Sequence, residues 1–542
     1  MQKFKVTFLP DNLSITVEKD KTILEAAISA GIYLNANCAG DGTCGRCKVV
    51  VNQGQVKSLP NGIITAQEKK NNVYLACLAA IQSDLEVLIP DNSRIDENIQ
   101  IDSLGGEVTV EPADTTGKNF GFCFDIGTTT ISGQLLNLNS KKILGTKTAY
   151  NRQAVFGSDV ITRIVYAAKT GGLEKLHNAV SDTMNQIIKE LVSEHKISLF
   201  DVNCVVCSGN TTMIHLLLSA DPAHIRRQPY VRPANFPPVL RAAEAGINIS
   251  PRGLLSCVPG VSSYVGGDTT AGILSSGIYQ KEELCILIDI GTNGEIVLGN
   301  RDFLAACAAS AGPAFEGSGV TSGMRASGGA IQKISINKND FSVKYSTIQN
   351  KLPQGICGSG YIDLLSEMLE SGIIDKGGKI KVSGKRVRST DDGREFVVCF
   401  KEEIKGEADI VIKESDIENL KRSKGAIYSA AAVLVKHLAL EFSAISKIFI
   451  SGGFGTYLDV EKAIRIGLLP DLERSKFIFI GNSSLAGSRE ILLSSQARDM
   501  AEELASKITY FDLSVDPGYM EEYSQALFFP HTDLTKFPTV KF

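Results

Sequence analysis

Cys38, Cys44 and Cys47 stand in one glycine-rich stretch, CAGDGTCGRC, spaced C-x5-C-x2-C, and Cys77 follows Cys47 after 29 residues. Thiolates this close together are arranged to hold iron. The pattern is one residue wider in its first gap than the C-x4-C-x2-C run, with a distant fourth cysteine, of plant-type [2Fe–2S] centres. Gly40, Gly42 and Gly45 let the backbone wrap a cluster and turn N–H groups toward its sulfides, which stabilises the reduced state. Zinc or inert thiols are the alternatives, but a zinc site ordinarily pairs two short Cys/His spacings, and one stands here.

A second chemistry is written twice. FCFDIGTTTISGQLL (122–136) and ILIDIGTNGEIVLGN (286–300) share D-I-G-T, and in each an apolar strand runs into the motif and another leaves it. One such motif is most often only a turn. Two copies 164 residues apart imply duplicated halves facing one cleft. Asp125 and Asp289 fall at strand ends, Gly127 and Gly291 permit the tight turn, and the hydroxyls and N–H groups of the turns can bind phosphate oxygens. Paired carboxylates repel, so a bridging Mg²⁺ held largely through water is implied.

These residues need elements to hold them. Residues 2–9 and 13–18 alternate like a hairpin around Pro10-Asp11-Asn12, TILEAAISAG has helical spacing ended by Gly31, and strands KVVVN and LEVLIP follow the cysteine loop. This resembles the β-grasp of ferredoxins. A polar stretch leads to about Lys118, and from Asn119 the pattern is α/β, with helical segments at 173–195 and 425–442. The expected division is a [2Fe–2S] domain at 1–92, a linker or small connecting domain at 93–118, and the two duplicated halves at 119–284 and 285–542. At 542 residues the chain exceeds one core. A net charge of −4 without a basic run gives no sign of nucleic-acid binding. No window approaches 18 apolar residues and no export signal opens the chain, so a cytoplasmic protein without membrane contact is expected. The eight further cysteines, Cys123 to Cys399, lie mostly in apolar runs and read as buried thiols. Cys204 and Cys207 form a C-x2-C, but strand alternation sends them to opposite faces.

The doubled motif resembles the phosphate loops of the actin, chaperone and sugar-kinase ATPase superfamily, and further motifs follow in that superfamily's order. GGDTTAGILSSG (266–277) is similar to the first connecting motif and puts Asp268 where the family often keeps an acidic residue near water or metal. KGAIYSAAAVLVKHL (424–438) resembles the second connecting helix, and IFISGGFG (448–455) the adenosine motif, with Gly452 and Gly453 leaving room for nucleotide. A Walker-A loop is absent. The implied fold class is a multidomain α/β protein: an N-terminal β-grasp joined to a duplicated actin-like ATPase with ribonuclease H-like halves.

The combination resembles the reductive activators of corrinoid proteins almost from end to end. Segments that carry this include NRQAVFGSDVITRI (151–164), SGNTTMIHLLLSADP (208–222), SAGPAFEGSGVTSGMRASGGAI (310–331), GICGSGYID (355–363), SGGFGTYLD (451–459) and GNSSLAGS (481–488). The resemblance implies reduction of an inactive Co(II) corrinoid protein to Co(I), with one electron from the [2Fe–2S] cluster and with ATP and Mg²⁺. A low-potential donor would refill the cluster, and a homodimer is possible. Plant-type clusters lie near about −400 mV, and each ~59 mV uphill loses tenfold, so ATP must change the acceptor or the complex. The implied site has Cys38, Cys44, Cys47 and Cys77 on iron, and Asp125 and Asp289 organising Mg²⁺ and water. Thr128, Thr129, Thr292 and Asn293 face phosphate, and Asp268, then Glu295, orient water. Glu295 could equally point outward. Gly358 in GICGSG either admits nucleotide or sharpens the start of a helix. Glu316 reads as a helix-start charge more than a cleft carboxylate, Asp159 and Arg163 as a surface pair, and His215 as a satisfied core histidine. An activator of a 2-hydroxyacyl-CoA dehydratase-like enzyme, or a redox-sensing, nucleotide-gated binding protein, is the alternative. A sugar or acetate kinase leaves the cysteines unexplained.

Overall fold

The structure, a computed structural model, describes residues 2–32, 34, 36, 40, 42, 44–90, 93, 94, 118–390, 393–404, 408–452 and 458–541. Cys38, Gly453 and nearly all of the 93–118 linker lie outside these residues.

The hairpin forms as the alternation predicts, Lys3–Leu9 against Leu13–Glu18. The sheet runs Leu13–Glu18, Lys3–Leu9, Leu85–Leu88, Lys48–Gln53, Val73–Leu75, with helix Ile23–Ser29 across it. Thr22 and Glu25 close a capping box at the start of that helix, and Gly31, at φ +79°, lets the chain turn away after it. Val6, Phe8, Val49 and Val87 fill the core from the inward side of the strands, and Cys47 and Cys77 are buried at its end. Cys47 and Cys77 thus rest on a packed apolar floor.

The duplication read from the two D-I-G-T motifs extends to whole lobes. In the first, the sheet runs Lys142–Tyr150, Thr130–Asn137, Phe120–Ile126, Val202–Gly209, Leu254–Cys257, with Leu240–Arg241 at its edge. In the second it runs Leu304–Ala309, Gly294–Gly299, Cys285–Ile290, Lys447–Ser451, Phe477–Gly481, with Thr509–Tyr510 beside Leu304–Ala309. Numbered within its own lobe, each core has the order 3-2-1-4-5: antiparallel across its first three strands, then parallel. The long helices Gly172–Glu194 and Glu414–His437 occupy the same place in each lobe, between strands 3 and 4. The second begins eleven residues before the predicted 425.

This symmetry corrects one expectation. The counterpart of helix Gly267–Ser276, which follows strand 5 of the first lobe, is helix Ser483–Leu493 after strand 5 of the second, not the 424–438 segment. These two helices cross at close quarters. A Cβ on Gly487 would stand 2.0 Å from the Ala271 carbonyl oxygen, and one on Gly272 would stand 2.9 Å from Ser483 Oγ. Small residues at the crossing bring the backbones together and join the lobes.

An insertion between strands 3 and 4 of the second lobe carries the sheet Val343–Thr347, Ala330–Ile336, Gly355–Ile356, helix Gly358–Glu370, and the sheet Val387–Thr390, Gly393–Cys399, Ile410–Lys413. A glycine-rich loop, 310–329, leads into it along the cleft.

Candidate functional site

The cleft between the lobes gathers Asp125, Asp268, Asp289, Glu295 and Glu316 with both D-I-G-T turns. Strand register explains the placement. Asp125 ends its strand opposite Ser132 and beside Ser208; Asp289 ends the equivalent strand opposite Glu295 and beside Ser451. Glu295 therefore takes the position that Ser132 has in the first lobe, and it faces inward.

Both oxygens of Asp125 are engaged, one by Asn482 Nδ2 and the other by Ser484 Oγ, each at 2.8 Å. Asn482 also caps helix Ser483–Leu493 by accepting from Leu485 N. Burial raises the pKa of Asp125 despite these donors. Asp289 is pushed up to about 7 by burial, with the neighbouring Asp268 and Asp125 carboxylates adding to it. Asp268, in the first turn of helix Gly267–Ser276, accepts from Thr269 N at 2.8 Å. Asp268 and Glu295 are both raised, first by burial and then by the carboxylates around them. A cleft that crowds carboxylates favours protons or a divalent cation.

Among the described residues no three Cys, His, Asp or Glu side chains form a direct metal cage. Mg²⁺ keeps most of its waters and binds through one or two carboxylates plus phosphate oxygens, a donor set that the carboxylates of this cleft fit. In the cysteine domain, Cys47 Sγ and Cys77 Sγ are 3.4 Å apart, and Cys44 is half-buried nearby in the chain. Two thiolates on one tetrahedral metal, with bonds of about 2.3 Å, stand about 3.8 Å apart, so this pair fits a shared iron. The remaining thiols are of another kind: burial alone pushes Cys257 up to about 12, and it is the dominant cause of the same rise at Cys123.

The turns are held from behind. Asn151 Nδ2 donates to Gly127 O at 2.8 Å, and Asn210 Nδ2 to Thr128 Oγ1 at 3.0 Å. A Cβ on Gly127 would meet Thr130 O at 2.7 Å, so the turn requires glycine there. Arg163 is fully buried and donates to Gly157 O, Gln153 Oε1 and the Thr128 carbonyl, while Asp159 caps helix Val160–Ala167. The expected surface pair is instead a helix cap and a buried brace of the first turn. His215 is a satisfied core histidine, its two ring nitrogens paired with Thr211 O and Ala234 N.

Glu316 overturns its bland reading. Its carboxylate accepts from Thr129 Oγ1 at 2.7 Å and from Thr292 Oγ1 at 2.8 Å, tying one turn to the other. Arg325, on the same loop, lies over the Tyr150 ring and donates to Thr129 O, and its buried Nη2 has no hydrogen-bond partner among the described residues. A guanidinium N–H of that kind beside paired hydroxyls suits an anionic oxygen. Asn293 and Gly291 line the cleft with them. Gly452 lines it too, but its glycine is required by the strand beside it: φ is +118° and a Cβ would fall 2.3 Å from Ile290 O. Gly358 opens a helix of 13 residues and lines the cleft, while the N–H groups of Ser359 and Gly360 in the same first turn meet the Cys357 thiol.

Three known families match successive parts of the chain. Residues 6–82 match the 2Fe-2S iron-sulfur cluster binding domain family, 120–281 the RACo middle region, and 283–541 the C-terminal domain of RACo, the ASKHA domain. The "Corrinoid activation enzyme RamQ" of Eubacterium limosum is 30% identical over 575 residues, covering 94% of this chain and 96% of that protein. The "[Co(II) methylated amine-specific corrinoid protein] reductase" of Methanosarcina barkeri is 26% identical over 72% of this chain and 73% of its own. A solved "Reductive activator for corrinoid,iron-sulfur protein" is 39% identical, with a TM-score of 0.75 over 99% of this chain and all of that one.

Proposed function

We propose, from the premise that this chain belongs to the RACo family of reductive activators, that it returns a corrinoid protein from Co(II) to Co(I) by delivering one electron in an ATP-dependent reaction. It is an enzyme, an iron–sulfur electron-transfer activase with an actin-like ATPase. The observation that carries the reading is one chain that joins a β-grasp domain bearing paired thiols to a cleft where duplicated lobes gather carboxylates and hydroxyls.

Cys38, Cys44, Cys47 and Cys77 hold the [2Fe–2S] cluster, which supplies a one-electron store. Asp125 and Asp289 organise Mg²⁺ and its waters, with Asn482 and Ser484 fixing the direction of Asp125. Thr128, Thr129, Thr292 and Asn293 take phosphate oxygens, and Gly452, Gly453 and Gly358 flank the nucleotide. Asp268 orients the attacking water, with Glu295 beside it. Closure of the lobes on nucleotide, followed by hydrolysis, changes how the cobalt protein is docked or ligated and then releases it. Domain limits of 1–92, 93–118, 119–284 and 285–542 and a cytoplasmic location complete the reading. No helix among the described residues is long and apolar enough to cross a membrane.

The test is an anaerobic reduction of a Co(II) corrinoid protein, followed by the Co(I) absorption band, with ATP, without it, and with a non-hydrolysable analogue. ATP should give the greatest extent; equal extents in all three arms would refute the coupling.

A further inference from the structure

Three parts of the molecule meet on one loop. Arg46, between cluster-loop cysteines Cys44 and Cys47, donates from Nη2 to the Val320 carbonyl at 2.6 Å. The peptide unit that offers this carbonyl also offers the Thr321 N–H, which donates to Asp416 Oδ1 at 2.8 Å, and Thr321 Oγ1 reaches the same oxygen at 3.0 Å. Asp416 lies in the first turn of helix Glu414–His437, the long crossover of the second lobe. One peptide plane is thus clamped between the cysteine domain and the ATPase body. Four residues before Val320, Glu316 holds the hydroxyls of Thr129 and Thr292, one from each phosphate turn.

Chemistry makes this loop sensitive to an anion. Phosphate oxygens seeking Thr129 and Thr292 compete with the Glu316 carboxylate for the same two O–H groups and repel it. Arg325, five residues beyond Val320, has a buried N–H to give the incoming charge. Between Glu316 and Val320 the chain passes through Gly317 and Gly319, both left-handed at φ +80° and +75°, and a Cβ on Gly319 would meet nothing within 4 Å. Gly317 is packed against the Met324 backbone, where a Cβ would fall 2.3 Å from its carbonyl oxygen, so Gly319 is the pivot at which the stretch from Glu316 to Val320 can move.

We propose that Glu316 and Arg46 are positioning residues at the two ends of one latch, through which nucleotide phosphate in the cleft loosens the hold of the 316–321 segment on the cluster-bearing domain. The inference rests on the nucleotide reading above. While Glu316 spans the two threonines, the segment stays taut and Arg46 is seated on it. When phosphate displaces Glu316, that seat weakens and the face of the cysteine domain around Arg46 is released toward the corrinoid partner.

Reciprocity gives the test, because a contact that nucleotide weakens must in turn weaken nucleotide binding. In the full-length, cluster-loaded protein, Arg46→Ala should bind a Mg²⁺-complexed, non-hydrolysable ATP analogue about fivefold more tightly, the worth of one hydrogen bond. Glu316→Gln should also tighten binding, and the double variant should gain less than the product of the two. In the wild type, the analogue should speed hydrogen exchange over residues 44–48, and in Arg46→Ala that increment should vanish. Cluster content by absorbance and EPR confirms that each variant is folded. An affinity unchanged or lowered by Arg46→Ala, with an intact cluster, overturns the latch. A wild type that binds no analogue overturns the nucleotide reading itself.

Discussion

The crowding of carboxylates in the cleft makes the protein's response to pH a direct measure of what the site is for. Asp289 is brought from 3.8 up to about 7 by burial and by Asp268 and Asp125. Its proton is thus retained in the folded state across a window, from about pH 4 to about 7, where the unfolded chain has already lost it. The sign follows: this group's contribution to stability is fully present below about pH 4 and is lost as pH rises through about 7. At about 1.4 kcal/mol for each tenfold, an ionised Asp289 above that window costs roughly 2–4 kcal/mol, allowing for the water that reaches the cleft. A divalent cation reverses the balance, since it binds the ionised form and must expel the proton. Mg²⁺ affinity, alone or with nucleotide, should therefore weaken about tenfold for each pH unit below 7, and more if Asp268 or Glu295 gives up a second proton. Calorimetry in buffers of different ionisation enthalpy counts the protons released, and thermal melts with and without Mg²⁺ between pH 6 and 8 follow stability. Asp289→Asn should flatten the pH response, bind Mg²⁺ poorly at every pH, and melt several degrees higher than the wild type at pH 8 without the metal. Metal binding that releases no proton, or a Mg²⁺-free melting temperature that climbs from pH 6 to 8, would show that the carboxylates do not act together.

Other outcomes follow from single contacts. Asn482→Ala and Ser484→Ala each remove a donor from Asp125 and should lower ATP turnover roughly 10- to 100-fold, the worth of about 1.5–3 kcal/mol for a hydrogen bond to a charged group; wild-type turnover would refute the bracing role. Cys47→Ser should abolish the EPR signal of the dithionite-reduced cluster while the ATPase lobes still melt cooperatively, whereas Cys257→Ala should leave the signal intact. Gly487→Val should lower the melting temperature sharply, because even its Cβ would overlap the Ala271 carbonyl at the crossing of the two joining helices.

The doubled D-I-G-T could be read because each copy sits in a strand–turn–strand of familiar pattern, and the register of each strand pair then fixes where Asp125 and Asp289 point. Glu295 was ambiguous because alternation gives its face relative to its neighbours, but not which face lies in the cleft. Glu316 could be read as a cleft carboxylate but not preferred as one, and Arg325 not at all: they lie on a glycine-rich loop without periodicity, and what holds Glu316 there is a pair of hydroxyls from the two separate turns. Arg163 was misread because an Asp–Arg pair four apart is a surface pattern, whereas here the caps and carbonyls of the first lobe bury the arginine. The second joining helix was missed because SSLAGS is buried nearly all round, so no apolar stripe marks it as helical. Asn482 and Ser484 belonged to a quoted motif, but their partner is 357 and 359 residues away, a distance over which sequence pattern carries no pairing.

That separation also dictates an order of assembly. During synthesis at about 5–20 residues per second, a ribosome that has made Asp125 needs roughly 18–70 s more before Asn482 emerges to hold it. The described strands of the cysteine domain lie within the first 90 residues and are complete in that interval, while the first lobe waits with its key carboxylate unbraced. Chain order therefore completes the strands of the cysteine domain long before the partners of Asp125 exist, and a chain stopped short of residue 482 would lack both donors that hold that carboxylate.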